Sequence, residues 1–377
     1  MIETNKIYDE DCRETIGRMD NDSIDCLVTS PPYWALRDYG EEAVAIWDSN
    51  NGCLHEWGND IDAAGDIRFR GENSKVGANK SFGKDYKPHN SMFCKKCGAW
   101  RGSLGLEPDF NLYIKHLCDI FEMFKPKLKK TGTIWVNLGD TYASGTRDNN
   151  FKPDQTRLNS KEGKYIGDWH EQPNRKLKNY PAKSLCLIPQ RFEIEMVNRG
   201  WIYRNEIIWH KPNCMPSSVK DRFTVDFEKV CFFVKSPKYY FEQQEEKAIE
   251  RIGRMKNLAT EKTFGGKSQI SGNANREGRI WISNGKRNKR CVWTLPTQPN
   301  SDEHFAIYPD KLIEIPIKAG CPEGGIVYDP FGGSGTTAEV SIRLGRKFIV
   351  SEINSEYVYE IAEKRIRLHQ DQLSLVA

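Results

Sequence analysis

A glycine-rich turn near the C-terminus constrains the fold of this chain more than any other feature of its sequence. Residues 329–337 read Asp-Pro-Phe-Gly-Gly-Ser-Gly-Thr-Thr and follow a short apolar run at 326–328. Glycines let a backbone turn sharply and approach a ligand closely, and the start of a helix presents N–H groups without partners. The turn therefore predicts a strand, a ligand-binding loop and a helix in succession.

Alternating helical and strand-like segments place this turn in an α/β domain. Apolar residues from Phe110 to Leu128 follow helical spacing, and residues 133–138 form a strand-like run. After the glycine-rich turn, a predicted helix over 336–344 leads to a predicted strand over 347–350. This alternation is typical of a largely parallel sheet covered by helices.

The surroundings of the turn favour a nucleotide-like cofactor. Glu352 ends the strand that follows the turn, where an acidic side chain accepts hydrogen bonds from ribose hydroxyls in doubly wound folds. No Gly-Lys-Ser/Thr sequence follows the glycines, which argues against a phosphate loop. A tight turn without a ligand remains the alternative for this motif alone. The predicted cofactor-binding residues here are Asp329, Pro330, Phe331, Gly332, Gly333, Ser334, Gly335, Thr336 and Glu352.

A second motif, Ser30-Pro31-Pro32-Tyr33, follows an apolar run at 25–29 that is typical of a buried strand. Open α/β sheets place their sites at the carboxyl ends of strands. Adjacent prolines lack N–H donors, so their carbonyls can face a ligand as acceptors, and Ser30 adds a hydroxyl. Tyr33 offers a flat face on which a base can stack. We predict that these four residues are catalytic, with a plain turn as the alternative.

Together the two motifs resemble those of the S-adenosylmethionine-dependent DNA methyltransferases that methylate exocyclic amines. That family carries an Asp/Asn/Ser-Pro-Pro-Tyr/Phe/Trp motif and a Phe-x-Gly-x-Gly motif, which correspond here to Ser30–Tyr33 and Phe331–Gly335. The catalytic motif precedes the cofactor motif, as in the beta arrangement of the family. The resemblance implies a Rossmann-like methyltransferase fold with a mostly parallel seven-stranded sheet and a reversed hairpin.

The resemblance also implies an activity, methyl transfer from S-adenosylmethionine to a base amine in a specific sequence of double-stranded DNA. Serine at the first motif position is similar to the cytosine-N4 subgroup, whereas adenine-N6 enzymes usually carry Asp or Asn there. A cytosine-C5 mechanism is disfavoured, because no Pro-Cys motif stands at the strand end. The alternatives are adenine N6 on the same scaffold, methylation of RNA, and a DNA-binding module without catalysis.

Further site residues follow from the resemblance alone. It implies that Asp11 and Cys12 lie near the cofactor adenine and that Phe305 helps enclose the methionine end. A surface aspartate, a buried cysteine and a core phenylalanine are the alternative interpretations. A cognate restriction endonuclease is a partner that this family allows.

Composition limits the remaining classes. Of the 377 residues 38% are hydrophobic and 11% aromatic, enough for a sizeable core, and the net charge of +4 identifies no partner. No apolar run approaches the roughly 20 residues that span a bilayer, and no cleavable apolar segment opens the chain. We therefore expect a cytoplasmic protein without a membrane partner. The eleven cysteines are an odd number, which disfavours a disulfide framework.

Two pairs of metal-ligand residues bracket a polar insertion predicted over 43–104. Four nitrogen and sulfur ligands suit tetrahedral structural zinc, which would hold together a segment with few apolar residues. His89 is a substitute fourth ligand, and free surface thiols are the alternative. The predicted ligands are Cys53, His55, Cys94 and Cys97.

A basic segment predicted over 241–290 occupies the place of the target-recognition region in beta-arrangement enzymes. Between Glu250 and Arg290 eleven basic residues accompany three acidic ones. Such side chains neutralise phosphates and read base edges, although a solvated basic face is the alternative. The remaining chain, 1–42, 105–240 and 291–377, is the predicted catalytic domain. The predicted DNA-binding cluster is Lys286, Arg287, Lys289 and Arg290.

Overall fold

A computed structural model of the chain describes residues 2–35, 39–50, 52–58, 92–143, 180–247, 286–297, 308–355 and 357–366. The chain divides into two compact units, Met1–Glu242 with Cys291–Ala377, and Gln243–Arg290. The helices and strands are, in chain order, β1 (Lys6–Asp9), α1 (Cys12–Arg18), β2 (Ile24–Thr29), β3 (Val44–Trp47), β4 (Met92–Phe93), β5 (Trp100–Ser103), α2 (Phe110–Phe124), β6 (Leu128–Leu138), α3 (Ile188–Asn198), β7 (Ile202–His210), β8 (Phe227–Val234), β9 (Glu245–Lys247), β10 (Lys286–Asn288), β11 (Val292–Thr294), α4 (Asp310–Gly320), β12 (Ile326–Asp329), α5 (Thr336–Arg343) and β13 (Lys347–Glu352).

One large sheet forms the centre of the first unit, in the order β1-β13-β12-β2-β6-β8-β7-β11. All neighbouring strands are parallel except that β8 runs antiparallel to both β6 and β7. The predicted α/β class, the mostly parallel sheet and the reversed hairpin are therefore confirmed.

The sheet has eight described strands rather than the predicted seven. The additional strand is β11, which pairs in parallel with β7 at the sheet edge. Its three residues, Val292 to Thr294, are too few to show an alternating pattern in a sequence. Strand β11 is therefore defined only by its hydrogen-bonded pairing with β7.

Helix α2 packs on the core through one apolar face. Asp109 caps the helix by accepting a hydrogen bond from the Asn111 N–H at 2.7 Å. Residues such as Tyr113, Leu117 and Phe121 are fully buried in the main core. The helix ends at Phe124, short of the predicted Leu128, because Leu128 begins β6.

The insertion contains regular structure that its polar sequence does not indicate. Strands β3, β5 and β4 form an antiparallel sheet. The side chains of Trp47 and Trp100, from two strands of this sheet, are buried in the main core. Both rings stack on His116 of α2, with centroid distances of 4.8 and 5.5 Å. His116 also contacts Glu107 Oε1 at 3.0 Å and Asp48 Oδ2 at 3.3 Å. The described part of the insertion therefore packs on α2.

In the second unit, β9 and β10 form an antiparallel pair. Among the described residues of both units, no helix has the length and apolar character needed to cross a membrane.

Candidate functional site

The two sequence motifs meet at one edge of the sheet. Strands β2, β12 and β13 are parallel neighbours, so their carboxyl ends lie side by side, and Ser30, Pro330 and Ile353 directly follow them. They surround a cavity of about 330 Å³, a volume typical of small-molecule sites. The motif residues that line it are Ser30, Pro31, Pro32, Tyr33, Pro330, Phe331, Gly332, Gly333, Ser334 and Thr336.

The glycines of the turn are required by its geometry. Gly333 and Gly335 have φ of +50° and +76°, in the left-handed region that favours glycine. A Cβ on Gly332 would lie 2.1 Å from Val350 Cγ1, far inside van der Waals contact. Strand β13 thus lies directly beneath the turn and leaves it no room for a side chain.

Asp329 ties the two motifs together from below the cavity. Its buried carboxylate accepts hydrogen bonds from Thr29 Oγ1 at 2.6 Å, Thr337 Oγ1 at 2.6 Å, Tyr308 Oη at 3.0 Å and the Phe331 N–H at 3.0 Å. Burial raises its pKa, and these donors oppose that shift. Asp329 is not among the residues that line the cavity, and its hydrogen bonds hold the turn and the end of β2 together beneath it.

Glu352 is an acidic residue that lines the cavity beside the glycine-rich turn. Its carboxylate accepts hydrogen bonds from the Gly333 N–H at 2.7 Å and from the Asn354 N–H at 3.0 Å. Burial raises the pKa of Glu352 to about 7, although these N–H groups favour the ionised form. A carboxylate held at the lip of a glycine-rich turn is an acceptor for sugar hydroxyls.

The start of α1 forms another wall of the cavity, which Asp11 and Cys12 line together with the glycine-rich turn. Asp11 caps the helix through the Arg13 N–H at 2.8 Å and forms an ion pair with Arg13 at 2.7 Å. Cys12 is buried, which raises the pKa of its thiol. The predicted residues Phe305 and His89 lie outside the described residues.

The Ser-Pro-Pro-Tyr loop is held from the side of α2. Tyr113 Oη donates to the Pro32 carbonyl at 2.8 Å, and Trp34 Nε1 donates to the Glu107 carbonyl at 2.9 Å. The Gly105 N–H donates to the Glu107 carboxylate at 2.8 Å. These bonds fix the loop backbone while Ser30 and Tyr33 face the cavity.

Among the polar cavity residues that were not predicted from the sequence, Asn137, Lys211 and Glu228 lie around the Tyr33 hydroxyl. Tyr33 Oη donates to Glu228 Oε2 at 2.8 Å and accepts from Asn137 Nδ2 at 2.6 Å. Lys211 forms an ion pair with Glu228. The position of Asn137, a polar residue in the apolar strand β6, is a signal that sequence reasoning could have used, whereas Glu228 gives none.

The four predicted metal ligands come together. One ligand atom from each of Cys53, His55, Cys94 and Cys97 lies within 4.8 Å of the others. The Cys53 and Cys94 sulfurs are 4.0 Å apart, and Cys97 Sγ is 3.4 Å from His55 Nδ1. The Gly98 N–H closes a turn on the Cys94 carbonyl at 2.9 Å, which presents both cysteines of the CxxC pair to the same point.

The predicted basic cluster lies at the end of the second unit. Lys286 pairs with Glu245 at 3.1 Å, and Arg287 and Arg290 both pair with Glu246 at 2.8 Å. The side chains of Lys286 and Arg290 are still 62% and 66% exposed. Surface ion pairs of this kind are weak.

Comparison with known proteins identifies the class. The family model N6_N4_Mtase, described as DNA methylase, matches residues 24–364. The chain belongs to this family. The predicted resemblance to DNA methyltransferases that methylate exocyclic amines is therefore confirmed.

Individual relatives match nearly the whole chain. The Type II methyltransferase M.SmaI of Serratia marcescens is 30% identical over 361 residues, covering 96% of this chain and 90% of the relative. The Type II methyltransferase M.Cfr9I of Citrobacter freundii is 29% identical over 368 residues, covering 96% and 87%. The solved structure of the PvuII DNA methyltransferase (cytosine-N4-specific) matches with a TM-score of 0.51 at 16% identity, covering 99% of this chain and 93% of that one. At that identity it shows a likeness of fold alone.

Proposed function

We propose that this protein transfers a methyl group from S-adenosylmethionine to the exocyclic N4 of cytosine in a specific sequence of double-stranded DNA. One observation carries the proposal: the Ser30 motif and the glycine-rich turn line a single cavity. A DNA-binding module without catalysis would have no need for this shared cavity.

The residues around the turn fit the cofactor. Glu352 offers ribose hydroxyls an acceptor at the lip of the turn, and Asp11 and Cys12 supply a wall for the adenine. Gly333, where a Cβ would meet nothing within 4 Å, lines the cavity with backbone alone, which lets a ligand approach closely. When bound, S-adenosylmethionine supplies a methyl carbon that the neighbouring sulfonium activates.

The Ser-Pro-Pro-Tyr loop positions the amine that receives the methyl group. The lone pair of an exocyclic amine is conjugated with its ring, so acceptors that draw its hydrogens out of the ring plane favour attack. We assign this role to Ser30 Oγ and the Pro31 carbonyl. Positioning the amine in line with the methyl carbon supplies much of the rate enhancement. The base must leave the duplex to reach this loop, and the anchored ring of Tyr33 is our candidate for stacking on it.

The loop between β7 and β8 supports contact with DNA. It joins Lys211 and Glu228, which line the cavity, and it carries the basic residues Lys220 and Arg222. Phe223 in this loop is 96% exposed. An exposed aromatic residue among cations, beside a site that accepts an extruded base, suits insertion into a base stack. We assign the basic cluster of the second unit to the same DNA.

Cytosine N4 is proposed over adenine N6 on the identity of Ser30 at the first position of the motif. The relatives are named as Type II methyltransferases, which supports a restriction–modification role with a cognate endonuclease as partner. Such an enzyme acts where the DNA is, in the cytoplasm.

We expect DNA methylated by the purified protein to contain N4-methylcytosine after digestion to nucleosides, measured by mass spectrometry with labelled cofactor. Unmodified DNA incubated without enzyme is the control, and a matched RNA duplex should take up no label. N6-methyladenine in the digest would refute the cytosine assignment. Saturable cofactor binding without transfer to any DNA would favour the inactive binding module.

We further propose that Cys53, His55, Cys94 and Cys97 bind one structural zinc ion. The donor set suits tetrahedral zinc, and four protein ligands leave no open position for catalysis. Residues 56–93 separate the two ligand pairs in the sequence, so the metal would join two distant parts of the chain beside β4. The site would thereby stabilise the small sheet that packs on His116.

Elemental analysis should find about one zinc per chain, and Cys97→Ser should lose it. Because a structural zinc site contributes folding free energy, the variant should melt roughly 5 to 10 °C lower, measured by differential scanning fluorimetry. Cys291→Ser removes an exposed thiol outside the cluster and should retain both metal and melting temperature. The zinc site would be contradicted if the wild-type protein contained no metal and its melting temperature did not change when zinc was added.

A further inference from the structure

A line of hydrogen bonds leads from the catalytic loop to a carboxylate. Ser30 Oγ donates to Tyr33 Oη across 3.4 Å, and Tyr33 Oη donates to Glu228 Oε2 at 2.8 Å. All three side chains line the cavity. The first contact is long, as catalytic hydrogen bonds often are before a substrate is bound.

The carboxylate end of this line is held in place from several strands. Asn137 Nδ2, from β6, donates to both Tyr33 Oη at 2.6 Å and Glu228 Oε2 at 2.8 Å. Lys211, just beyond β7, forms an ion pair with the other oxygen of Glu228. Tyr33, Asn137 and Lys211 thus contact Glu228 from three separate parts of the chain.

The methyl transfer leaves a proton that must be removed. As the N4–carbon bond forms, the carbon–sulfur bond breaks and its electron pair stays on sulfur. The nitrogen then carries a positive charge and must lose one proton to give the neutral methylated amine. A serine hydroxyl is a poor base by itself, since it holds a proton of its own at neutral pH.

We propose that Ser30, Tyr33 and Glu228 form a proton relay that takes this hydrogen from the target amine. The amine proton moves to Ser30 Oγ, the serine proton to Tyr33 Oη, and the tyrosine proton to Glu228 Oε2. The Ser30 and Tyr33 oxygens each gain one proton as they give one up, so both stay neutral, while Glu228 becomes a neutral carboxylic acid and the methylated amine loses its positive charge. Glu228 then returns the proton to solvent through the cavity that it lines. This relay rests on the proposed function, and it makes Tyr33 and Glu228 positioning and proton-transfer residues in addition to Ser30.

The test is single-turnover methyl transfer at saturating DNA and S-adenosylmethionine. Glu228→Gln keeps an acceptor for Tyr33 but cannot take a proton, so its rate should fall about 10²-fold, the low end of a general base contribution. Tyr33→Phe interrupts the relay but leaves the Glu228–Lys211 pair intact, and should lose rate to a similar extent.

A matched control is Glu206→Gln, which removes a carboxylate from β7 that pairs with Lys229 outside the cavity and should leave the rate unchanged. Cofactor binding by calorimetry should be the same for all variants. The relay is overturned if Glu228→Gln or Tyr33→Phe transfers methyl within about threefold of wild type, or if the loss is confined to DNA affinity. If wild type itself transfers no methyl group to DNA, the proposed function fails, and the relay with it.

Discussion

Replacing Ser30 by alanine is expected to lower the rate of methyl transfer by about 10²- to 10³-fold, the usual cost of removing one preorganised hydrogen-bonding group from a reacting centre. Ser30 directly follows β2 and faces the cavity, and its hydroxyl contacts Tyr33 rather than the glycine-rich turn. The affinity for S-adenosylmethionine should therefore stay near the wild-type value.

The rate and the affinity are measured separately, by single-turnover transfer of a labelled methyl group and by calorimetric titration of the cofactor. Ser23→Ala is the matched control, because Ser23 directly precedes β2 and so lies at the opposite end of the same strand. It should alter neither quantity. A Ser30→Ala protein that binds the cofactor weakly but reacts at the normal rate would reverse the assigned roles.

The arrangement of the two motifs around one site could be predicted from sequence because it depends on local signals and one general rule. The apolar run before Ser30 and the one before Asp329 each indicate a buried strand. Parallel strands share the edge at which their carboxyl ends lie, which brings the following loops together. The pairing of β2 with β12 then needed only a parallel sheet, and the structure contains it.

Other parts of the site depend on long-range pairing that no local pattern records. Glu228 reaches Tyr33 because β8 runs antiparallel between β6 and β7, which places residue 228 opposite residue 209 and near the end of β6. Trp47 and Trp100 enter the core only because both stack on a histidine of α2. A glutamate in a strand and two isolated tryptophans in a polar segment have no periodicity to find.

The glycines of the turn have different surroundings in the structure. Sequence alone treats its glycines as equivalent, but they differ in what surrounds them. A Cβ on Gly333 would meet nothing within 4 Å, and its constraint is the positive φ alone. A Cβ on Gly332 would collide with Val350, a buried residue of β13. Gly332 is therefore the position where even the smallest side chain must displace the turn from the strand.

Gly332→Ala is expected to weaken the binding of S-adenosylmethionine by about 10²-fold, which corresponds to roughly 3 kcal/mol and to the upper range of overpacking costs. The added methyl group would lie 2.1 Å from Val350 Cγ1, so the turn must move away from β13. The Gly333 N–H, which donates to the Glu352 carboxylate, would move with the turn. Calorimetric titration of the cofactor measures the loss. Gly17→Ala is the control, because its Cβ would meet nothing within 4 Å and its φ is not positive.

The same contact supplies a rescue experiment that separates a local collision from general misfolding. Val350→Ala removes the Cγ1 atom that a side chain at 332 would strike, so the double variant should recover most of the lost affinity. The single Val350→Ala change creates a small cavity and should lower the melting temperature without a comparable loss of binding. Because the two residues are in contact, their effects should be strongly non-additive in a double-mutant cycle. Additive losses would mean that the turn does not rest on β13 in the manner described, and the account of cofactor binding by this turn would have to be abandoned.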